Sequence, residues 1–425
     1  MVIYTVSPGD SMYSIAKKYG VTLSDLERFN RLPDNTRLAV GEDILIPVKG
    51  TVHDVKSGDS LYSIALHHGI SLEDLINANP NLRPPYTIYP GDIIMIPQGN
   101  ASKKAISVNG YAYPSISREV LTETLPYLTY LSIFSRSVSP DGSLGDLEDG
   151  WMISTAKNYN TAPVMVVTNT EPGAGFSSEL AHTVLTNASV RSTLIDNIVS
   201  TAAANGYEGV DIDFEYIFPS DRESYNEFLT LLKAKTEPAG LSLSTAIAPK
   251  ISAGQRGTLY EAHDYSFHGS IVDYLIIMTY EWGYLYGPPL AVAPISEVRK
   301  VLSYAVTEIE SSKILMGMPN YGYDWTLPYK SGTAANILSI DAALKRAIDV
   351  GANIQFNETS AAPFYEYVRD GREHIVWFEN ARSTAARLEL VNEFGLGGVS
   401  YWTINQFYAQ NWRILEDMFN IRKIL

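Results

Sequence analysis

The feature that most limits the fold of this chain is a regular alternation of short apolar runs with amphipathic stretches after residue 104. Strands buried on both faces form near-continuous apolar runs, and helices between them make the strands parallel. Eight such units predict an α/β fold, a (β/α)8 TIM barrel over residues 105–425, with a doubly wound open sheet as the alternative. The apolar runs lie at 105–113, 128–135, 163–169, 209–216, 241–248, 273–280, 313–319 and 397–404.

The stretch between the seventh and eighth runs is long enough to hold further elements. It contains a helical pattern around 341–349, three short β-type runs, and a second helical pattern at 381–394. Long connections with their own structure are usually functional in such a fold. We therefore expect a small α+β insertion at about 330–380, on the C-terminal rim of the barrel.

The first hundred residues contain an internal repeat. Residues 4–18 read YTVSPGDSMYSIAKK and residues 53–67 read HDVKSGDSLYSIALH, at an offset of 49. In each copy a short β-type run ends at Gly-Asp-Ser, where the Asp-Ser pair is suited to cap a following helix. Each copy then closes with a second β-type run, at 41–47 and 91–97. The repeat predicts two β-α-α-β units.

These units resemble the LysM domain, which binds N-acetylglucosamine in peptidoglycan and chitin. The resemblance implies modules at 1–48 and 51–98, followed by a linker at 99–104. In that family the sugar lies between the loop after the first strand and the loop before the last. Carried over, the glycan-binding residues are Gly9, Asp10, Ser11, Met12 and Asn30, and Gly58, Asp59, Ser60, Leu61 and Asn79. A purely structural turn-and-cap role for Gly-Asp-Ser remains open.

Composition excludes several classes of function. The formal net charge is −15 at pH 7 without a basic stripe, so neither nucleic acid nor an anionic membrane is an expected partner. There is no cysteine and no HExxH pair, so neither thiol chemistry nor a zinc protease site is expected. We expect a monomer without cofactor or metal. The N-terminus shows no signal-peptide pattern, and no run is long enough for a membrane span.

The strongest chemical signal is the run EGVDIDFE at 208–215. Residues two apart on a strand share a face, so Asp211, Asp213 and Glu215 point one way and the apolar residues between them the other. Three like charges inside a barrel are costly, and their pKa values should diverge so that one carboxyl is protonated beside an ionised neighbour. A solvated edge strand or a divalent metal site would be the alternatives.

This run resembles the DxxDxDxE signature of glycoside hydrolase family 18, the chitinase-like family, and the resemblance spans about 105–425. The first position departs, because Glu208 replaces Asp. The run MTYEWG at 278–283 is similar to the family's Met-x-Tyr-Asp, with Glu281 in place of Asp. The run SYWT at 400–403 is similar to the family's last strand. The third strand ends in VVTNT and lacks the family's Ser-x-Gly-Gly, which marks a divergent branch.

The resemblance implies a substrate-assisted retaining mechanism. Glu215 would protonate the glycosidic oxygen, and the substrate's own 2-acetamido oxygen would attack C1. Asp213 would orient the acetamido N–H, Asp211 would share a proton with Asp213, and Tyr280 would hydrogen-bond the acetamido oxygen. Sugar contacts are expected at Trp402, Met278, Tyr111, Asn320, Tyr321 and Trp325. A core role for the aromatic residues remains the alternative.

Two LysM-like units ahead of a family 18-like barrel resemble the layout of spore cortex-lytic N-acetylglucosaminidases of bacilli. The resemblance implies hydrolysis of cortex peptidoglycan during germination, at the spore cortex or coat or in the cell wall. A chitinase or a general autolysin would share the layout. A non-catalytic wall-binding lectin is the alternative from another class, and it would typically lack the acid at Glu215.

Overall fold

The computed structural model describes residues 1–48, 50–79, 81–97, 103–171 and 173–425. Most of the expected linker at 99–104 lies outside these ranges. Within them, each of the eight apolar runs forms a parallel strand. The barrel strands are Ala105–Ala112, Tyr130–Ser137, Ala162–Thr168, Gly209–Asp213, Ser242–Ile247, Tyr274–Ile277, Ile314–Pro319 and Gly398–Trp402.

The eight strands close into a barrel, which confirms the (β/α)8 prediction and rules out the open sheet. Closure occurs where the eighth strand pairs with the first, with Gly398 opposite Ser107 and Ser400 opposite Asn109. A Cβ atom on Gly398 would lie 1.7 Å from the Ser107 carbonyl oxygen. The absence of a side chain at Gly398 is therefore required for the last strand to approach the first.

Helices surround the barrel and bury their apolar faces against it. One helix, Ala188–Asn205, ends at Gly206, whose φ of 77° supplies the left-handed cap typical of a helix C-terminus. None of the helices in the described ranges is long and apolar enough to cross a bilayer. The helices around the barrel are Arg118–Thr124, Gly150–Asn158, Ser178–Thr186, Ala188–Asn205, Arg222–Thr236, Tyr265–Ile271, Ile295–Glu308, Ala381–Glu393 and Ala409–Met418.

The expected insertion is an antiparallel five-stranded sheet backed by one helix, Ile340–Val350. Its first strand, Gly322–Thr326, begins ahead of the expected 330–380 stretch and directly follows the seventh barrel strand. The helix and the sheet enclose a small core of their own. In spatial order the strands are Asn336–Leu338, Gly322–Thr326, Arg372–Trp377, Ala362–Arg369 and Gln355–Asn357.

Both N-terminal units have the predicted β-α-α-β order. In each, a serine caps the first helix in a reciprocal capping box, Ser11 with Ser14 and Ser60 with Ser63. The first unit consists of Val2–Thr5, Met12–Tyr19, Leu23–Asn30 and Asp43–Ile46. The second consists of Thr51–Asp54, Leu61–His67, Leu72–Ala78 and Ile93–Ile96.

Replacing Gly398 by alanine should prevent normal barrel closure, because the new methyl group would overlap the Ser107 carbonyl. We expect Gly398→Ala to lower the free energy of unfolding by about 3 kcal/mol, measured by urea denaturation. Gly254→Ala is the control, since nothing lies within 4 Å of a Cβ there. Equal stability of the two variants would contradict the role given to Gly398.

Candidate active site

The fourth barrel strand carries three acidic residues at the C-terminal mouth of the barrel. It is bonded on both sides, to the third and fifth strands, so the edge-strand alternative is wrong. Val210, Ile212 and Phe214 are fully buried in the main core that the helices cover. Asp211 and Asp213 alternate with them and are also buried, on the opposite face of the strand, inside the barrel.

Asp211 is held by two hydroxyl groups inside the barrel. Tyr111 on the first strand donates a hydrogen bond to Asp211 Oδ2 at 2.6 Å. Ser244, beside Asp211 on the fifth strand, donates to Oδ1 at 2.7 Å. Burial raises the pKa of Asp211 to about 6, although these two hydrogen bonds oppose the rise. Tyr111 is therefore a hydrogen-bond donor to Asp211, and its own side chain is only 2% exposed.

Asp213 lies one step nearer the mouth and is the least compensated of the three carboxyls. Its Oδ1 atom is buried and has no hydrogen-bond partner among the described residues. Burial, followed by the charges of Glu215 and Asp211, raises its pKa well above the usual value. Asp213 therefore holds a proton more readily than an ordinary aspartate, and its unpartnered Oδ1 atom is available to a ligand.

Glu215 stands at the mouth, partly open to solvent, and its backbone is held from both sides by one amide. Asn169, fully buried after the third strand, accepts from the Glu215 N–H at 2.9 Å and donates to the Glu215 carbonyl at 2.8 Å. Burial of the carboxyl, and then the charge of Glu281, raises the pKa of Glu215 to about 7. A carboxyl with this pKa can donate a proton near neutral pH.

Tyr280 and Met278 lie on the chain that leaves the sixth strand. Tyr280 is 9% exposed, and its pKa is raised far above the usual value by burial and by the nearby carboxylates. A Cβ on Gly317 of the seventh strand would come within 2.8 Å of the Tyr280 ring, so that glycine makes room for it. Met278 is half-buried against the main core.

Glu281 replaces the expected aspartate and is held by two tyrosines. Tyr321 donates to Oε1, and Tyr323 donates to the same oxygen at 2.9 Å. Partial burial raises the pKa of Glu281, whereas the two hydrogen bonds lower it. The backbone of Glu281 is in the left-handed region, with φ 68°, which is uncommon for a residue other than glycine.

Trp402 ends the last strand within a cluster of aromatic side chains. Its ring is packed edge-on against Phe134 at 4.9 Å, Tyr111 at 5.5 Å and Tyr113 at 5.8 Å between centroids. The half-buried indole borders a cleft of about 540 Å³ that runs from the barrel mouth to the insertion. The cleft is also lined by Tyr113, Glu281, Asn320, Tyr321 and Tyr323.

Two of the expected sugar contacts have structural partners instead. Asn320 borders the cleft, but its amide donates to the carbonyls of Thr403 and Gln406, both at 3.0 Å, and so fixes the loop after Trp402. Trp325 is 2% exposed and donates to the Gly287 carbonyl at 2.9 Å. Trp325 does not line the cleft, whereas the neighbouring Tyr323 does.

Several residues of the site were not identified from the sequence. Asn169 lies in the run VVTNT, where the departure from the family pattern was noticed but no role was assigned. Tyr113, Phe134, Tyr323 and Ser244 lie on strands or just beyond them, and period-two spacing from Tyr111 could have indicated Tyr113. Ser244 meets Asp211 through the pairing of two neighbouring strands. Glu208 lies away from the site and pairs with Lys157 at 2.5 Å.

In the LysM-like units the expected loop residues divide into exposed and buried sets. Gly9 and Gly58 are exposed turns with φ of 90° and 95°. Met12 and Leu61 are buried in the unit cores. The amides of Asn30 and Asn79 are also buried, and each bridges the second helix to the last strand. Of the loop residues, therefore, Asp10, Ser11, Asp59 and Ser60 with the two glycines remain at the surface.

Among the described residues, no group of three or more His, Asp or Glu side chains is arranged to hold a metal ion. The charge of Asp211 is stabilised by hydrogen bonds from two hydroxyl groups, and the raised pKa of Asp213 favours its uncharged form. Carboxyl groups with raised pKa values can donate protons or stabilise positive charge.

Comparison with known proteins agrees with this geometry. Residues 152–406 match glycosyl hydrolases family 18, and residues 4–47 and 53–97 each match the LysM domain. The chain is 43% identical to a cortical fragment-lytic enzyme of Bacillus subtilis, over all of this chain and 99% of the relative. The similar enzyme of Bacillus anthracis is 40% identical over 99% of each.

The fold is also shared with solved structures. The spore cortex-lytic enzyme SleL of Bacillus megaterium superposes with a TM-score of 0.94 at 39% identity, covering 100% of this chain and 99% of that one. The family match covers more than half of the chain, and it includes all three carboxylates of the barrel mouth. The chain therefore belongs to glycosyl hydrolases family 18 and is a glycoside hydrolase that carries two LysM domains ahead of its catalytic barrel.

Proposed function

We propose that this chain is a retaining N-acetylglucosaminidase that hydrolyses spore-cortex peptidoglycan during germination, held on its polymer by LysM modules. The observation that carries the proposal is Glu215, which follows two buried aspartates, has a pKa raised to about 7, and has a charged neighbour, Glu281, that lines an aromatic cleft. Two relatives that match over 99% of their length are cortical fragment-lytic enzymes. Their site of action would place this chain at the spore cortex or coat or in the cell wall.

In the first step, the protonated Glu215 donates its proton to the glycosidic oxygen. The two hydrogen bonds with Asn169 fix the backbone that carries the Glu215 carboxyl. Fixing the acid in this way lowers the entropic cost of reaching the transition state. Trp402 offers a flat face for the sugar that lies next to the bond being cleaved.

The attacking group is the 2-acetamido oxygen of the substrate. Asp213 has an unpartnered buried oxygen that can accept from the acetamido N–H and stabilise the positive charge that forms on the ring. Asp211, fixed by Tyr111 and Ser244, supplies the neighbouring negative charge. The Tyr280 hydroxyl, buried near these carboxyls, would donate to the acetamido oxygen. Glu215, now ionised, then removes a proton from the incoming water.

We propose domain boundaries that follow from these assignments. The LysM modules occupy 1–48 and 51–98, and the catalytic domain occupies 105–425 with its insertion between the seventh and eighth strands. The requirement for a 2-acetamido group limits the sugar on the reactive side to N-acetylated types. Peptidoglycan and chitin both satisfy that requirement, so the choice between them needs a direct test.

Mass spectrometry of products from two substrates tests the function. We expect purified cortex fragments to be cleaved to products ending in reducing N-acetylglucosamine, while chitin oligomers are cleaved little. Glu215→Gln should abolish cleavage, because the acid is lost, yet leave binding to insoluble peptidoglycan intact. Efficient cleavage of chitin with intact cortex would move the assignment to a chitinase, and cleavage of neither would indicate a lectin.

The pH profile should depend on Glu281. Its carboxylate raises the pKa of Glu215, so Glu281→Gln should lower that pKa. Because the acid works only when protonated, the descending limb of kcat/KM should then shift to lower pH. Glu237→Gln, an exposed helix-end variant, should leave the profile unchanged. An unshifted limb in Glu281→Gln would show that Glu281 does not influence the acid.

Asn169 should act on catalysis through the position of Glu215. Asn169→Ala removes both hydrogen bonds to the Glu215 backbone, so we expect kcat to fall about 100-fold while KM changes little. Initial rates on soluble cortex fragments, with circular dichroism to verify folding, provide the measurement. A rise in KM at constant kcat would instead assign Asn169 to substrate binding.

A further inference from the structure

The two LysM modules are nearly identical in fold but differ in what surrounds them. The first module is bonded to the catalytic domain at several points. In contrast, no hydrogen bond or ion pair joins residues 50–79 or 81–97 to residues 103–171 or 173–425. Away from the interface the modules match closely, as Tyr13 and its counterpart Tyr62 show with exposures of 66% and 67%.

The last strand of the first module is tied to the two helices that flank the eighth barrel strand. Asp43, buried in the module, accepts from Arg382 Nε at 2.8 Å. Gln410, itself 1% exposed, donates to the Asp43 carbonyl at 2.8 Å and to Asn30 Oδ1 at 2.9 Å. In the second module Ile93 takes the place of Asp43, so this link has no counterpart there.

The long loop of the first module, residues 31–41, lies against the insertion. Ala39 is buried in the core formed by the insertion helix and sheet. The Ile354 N–H donates to the Val40 carbonyl at 2.8 Å. A Cβ on Gly41 would lie 1.8 Å from the Ile354 carbonyl oxygen, whereas a Cβ on its counterpart Gly91 would meet nothing within 4 Å.

In the LysM family this loop forms half of the groove that holds the glycan, and in the first module both ends of the loop contact the catalytic domain. Arg31, at the start of the loop, pairs with Glu123 at 2.7 Å and lies over the Phe407 ring. The corresponding loop of the second module is exposed, including Asn81. It also presents two tyrosines, Tyr86 at 38% and Tyr89 at 65% exposure, where the first module has Thr36 and Ala39.

We infer that the first LysM module is a fixed part of the catalytic body, bracing the insertion against the barrel, and that glycan retention is carried by the second module. The exposed tyrosine rings of the second module are suited to stacking on the apolar faces of N-acetylated sugars. This half of the inference rests on the proposed wall binding. The bracing half does not, because it depends only on contacts within the chain.

The paired glycines Gly41 and Gly91 provide a matched test of bracing. Both have a positive φ, 87° and 94°, so alanine introduces the same backbone strain in each. Only Gly41→Ala adds a clash with the insertion. We expect the catalytic domain of Gly41→Ala to unfold at least about 3 °C below that of Gly91→Ala, by calorimetry of the full chain. Equal transitions would overturn the bracing role.

Hydrogen exchange of the unmodified chain provides a measurement that does not depend on a variant folding. The amides of Ile354 and of residues 39–43 should exchange at least about tenfold more slowly than those of residues 89–93, because only the former are shielded by the interface. Comparable exchange in the two loops would show that the first module separates readily from the catalytic domain, which contradicts the inference.

Retention is tested by cosedimentation with insoluble peptidoglycan in a Glu215→Gln background, which prevents digestion. Adding Tyr86→Ala and Tyr89→Ala should weaken binding about tenfold, as the loss of two stacking contacts predicts. The control, Thr36→Ala with Arg37→Ala in the first module, should leave binding unchanged. The reverse pattern would overturn the second-module assignment. Absence of binding by the Glu215→Gln chain itself would contradict wall retention, while the glycine pair would still decide the bracing.

Discussion

Closure of the eight-stranded sheet is the constraint on which the catalytic site depends. Gly398 allows the last strand to reach the first, and this pairing turns one face of every strand into a narrow interior. On the fourth strand that face carries Asp211 and Asp213, with Glu215 directly beyond them. In an open sheet the same side chains would face helices or solvent. In the barrel they are buried beside one another, so burial raises the pKa values of both aspartates. The charges of Glu215 and Asp211 raise the pKa of Asp213 further, whereas Tyr111 and Ser244 oppose the rise at Asp211.

The three carboxyls differ because their surroundings change along the strand. Asp211 is deepest and has both oxygens hydrogen-bonded, so burial raises its pKa only to about 6. Asp213 has an oxygen without a partner and a charge on either side, so its pKa rises furthest. Glu215, at the mouth, is affected by burial and by Glu281, which itself depends on tyrosines from the insertion. The insertion thus contributes to the acid as well as to the cleft wall.

Much of this arrangement could be predicted from the sequence, because it follows from periodicity. Period-two spacing placed Asp211 and Asp213 on one face, and eight apolar runs indicated the barrel that turns this face inward. What could not be predicted depends on distant contacts. The sequence around Trp325 does not indicate whether its indole is buried and bonded to Gly287 or exposed as a platform for a sugar. Likewise, the two bonds from Asn169 to Glu215 join residues 46 positions apart, on neighbouring strands.

The LysM repeat also shows that contacts between distant residues cannot be predicted from local sequence. Similar sequences at 4–18 and 53–67 predict the same fold, and the helices and caps of the two modules do correspond. Their roles are decided instead where the repeat breaks down, at Ala39 against Tyr89 and Asp43 against Ile93. A small residue and a buried acid suit contact with a protein surface, whereas an exposed ring and an aliphatic residue do not form such a link. Divergence within a repeat therefore indicates which copy has become part of the enzyme and which remains available to the polymer.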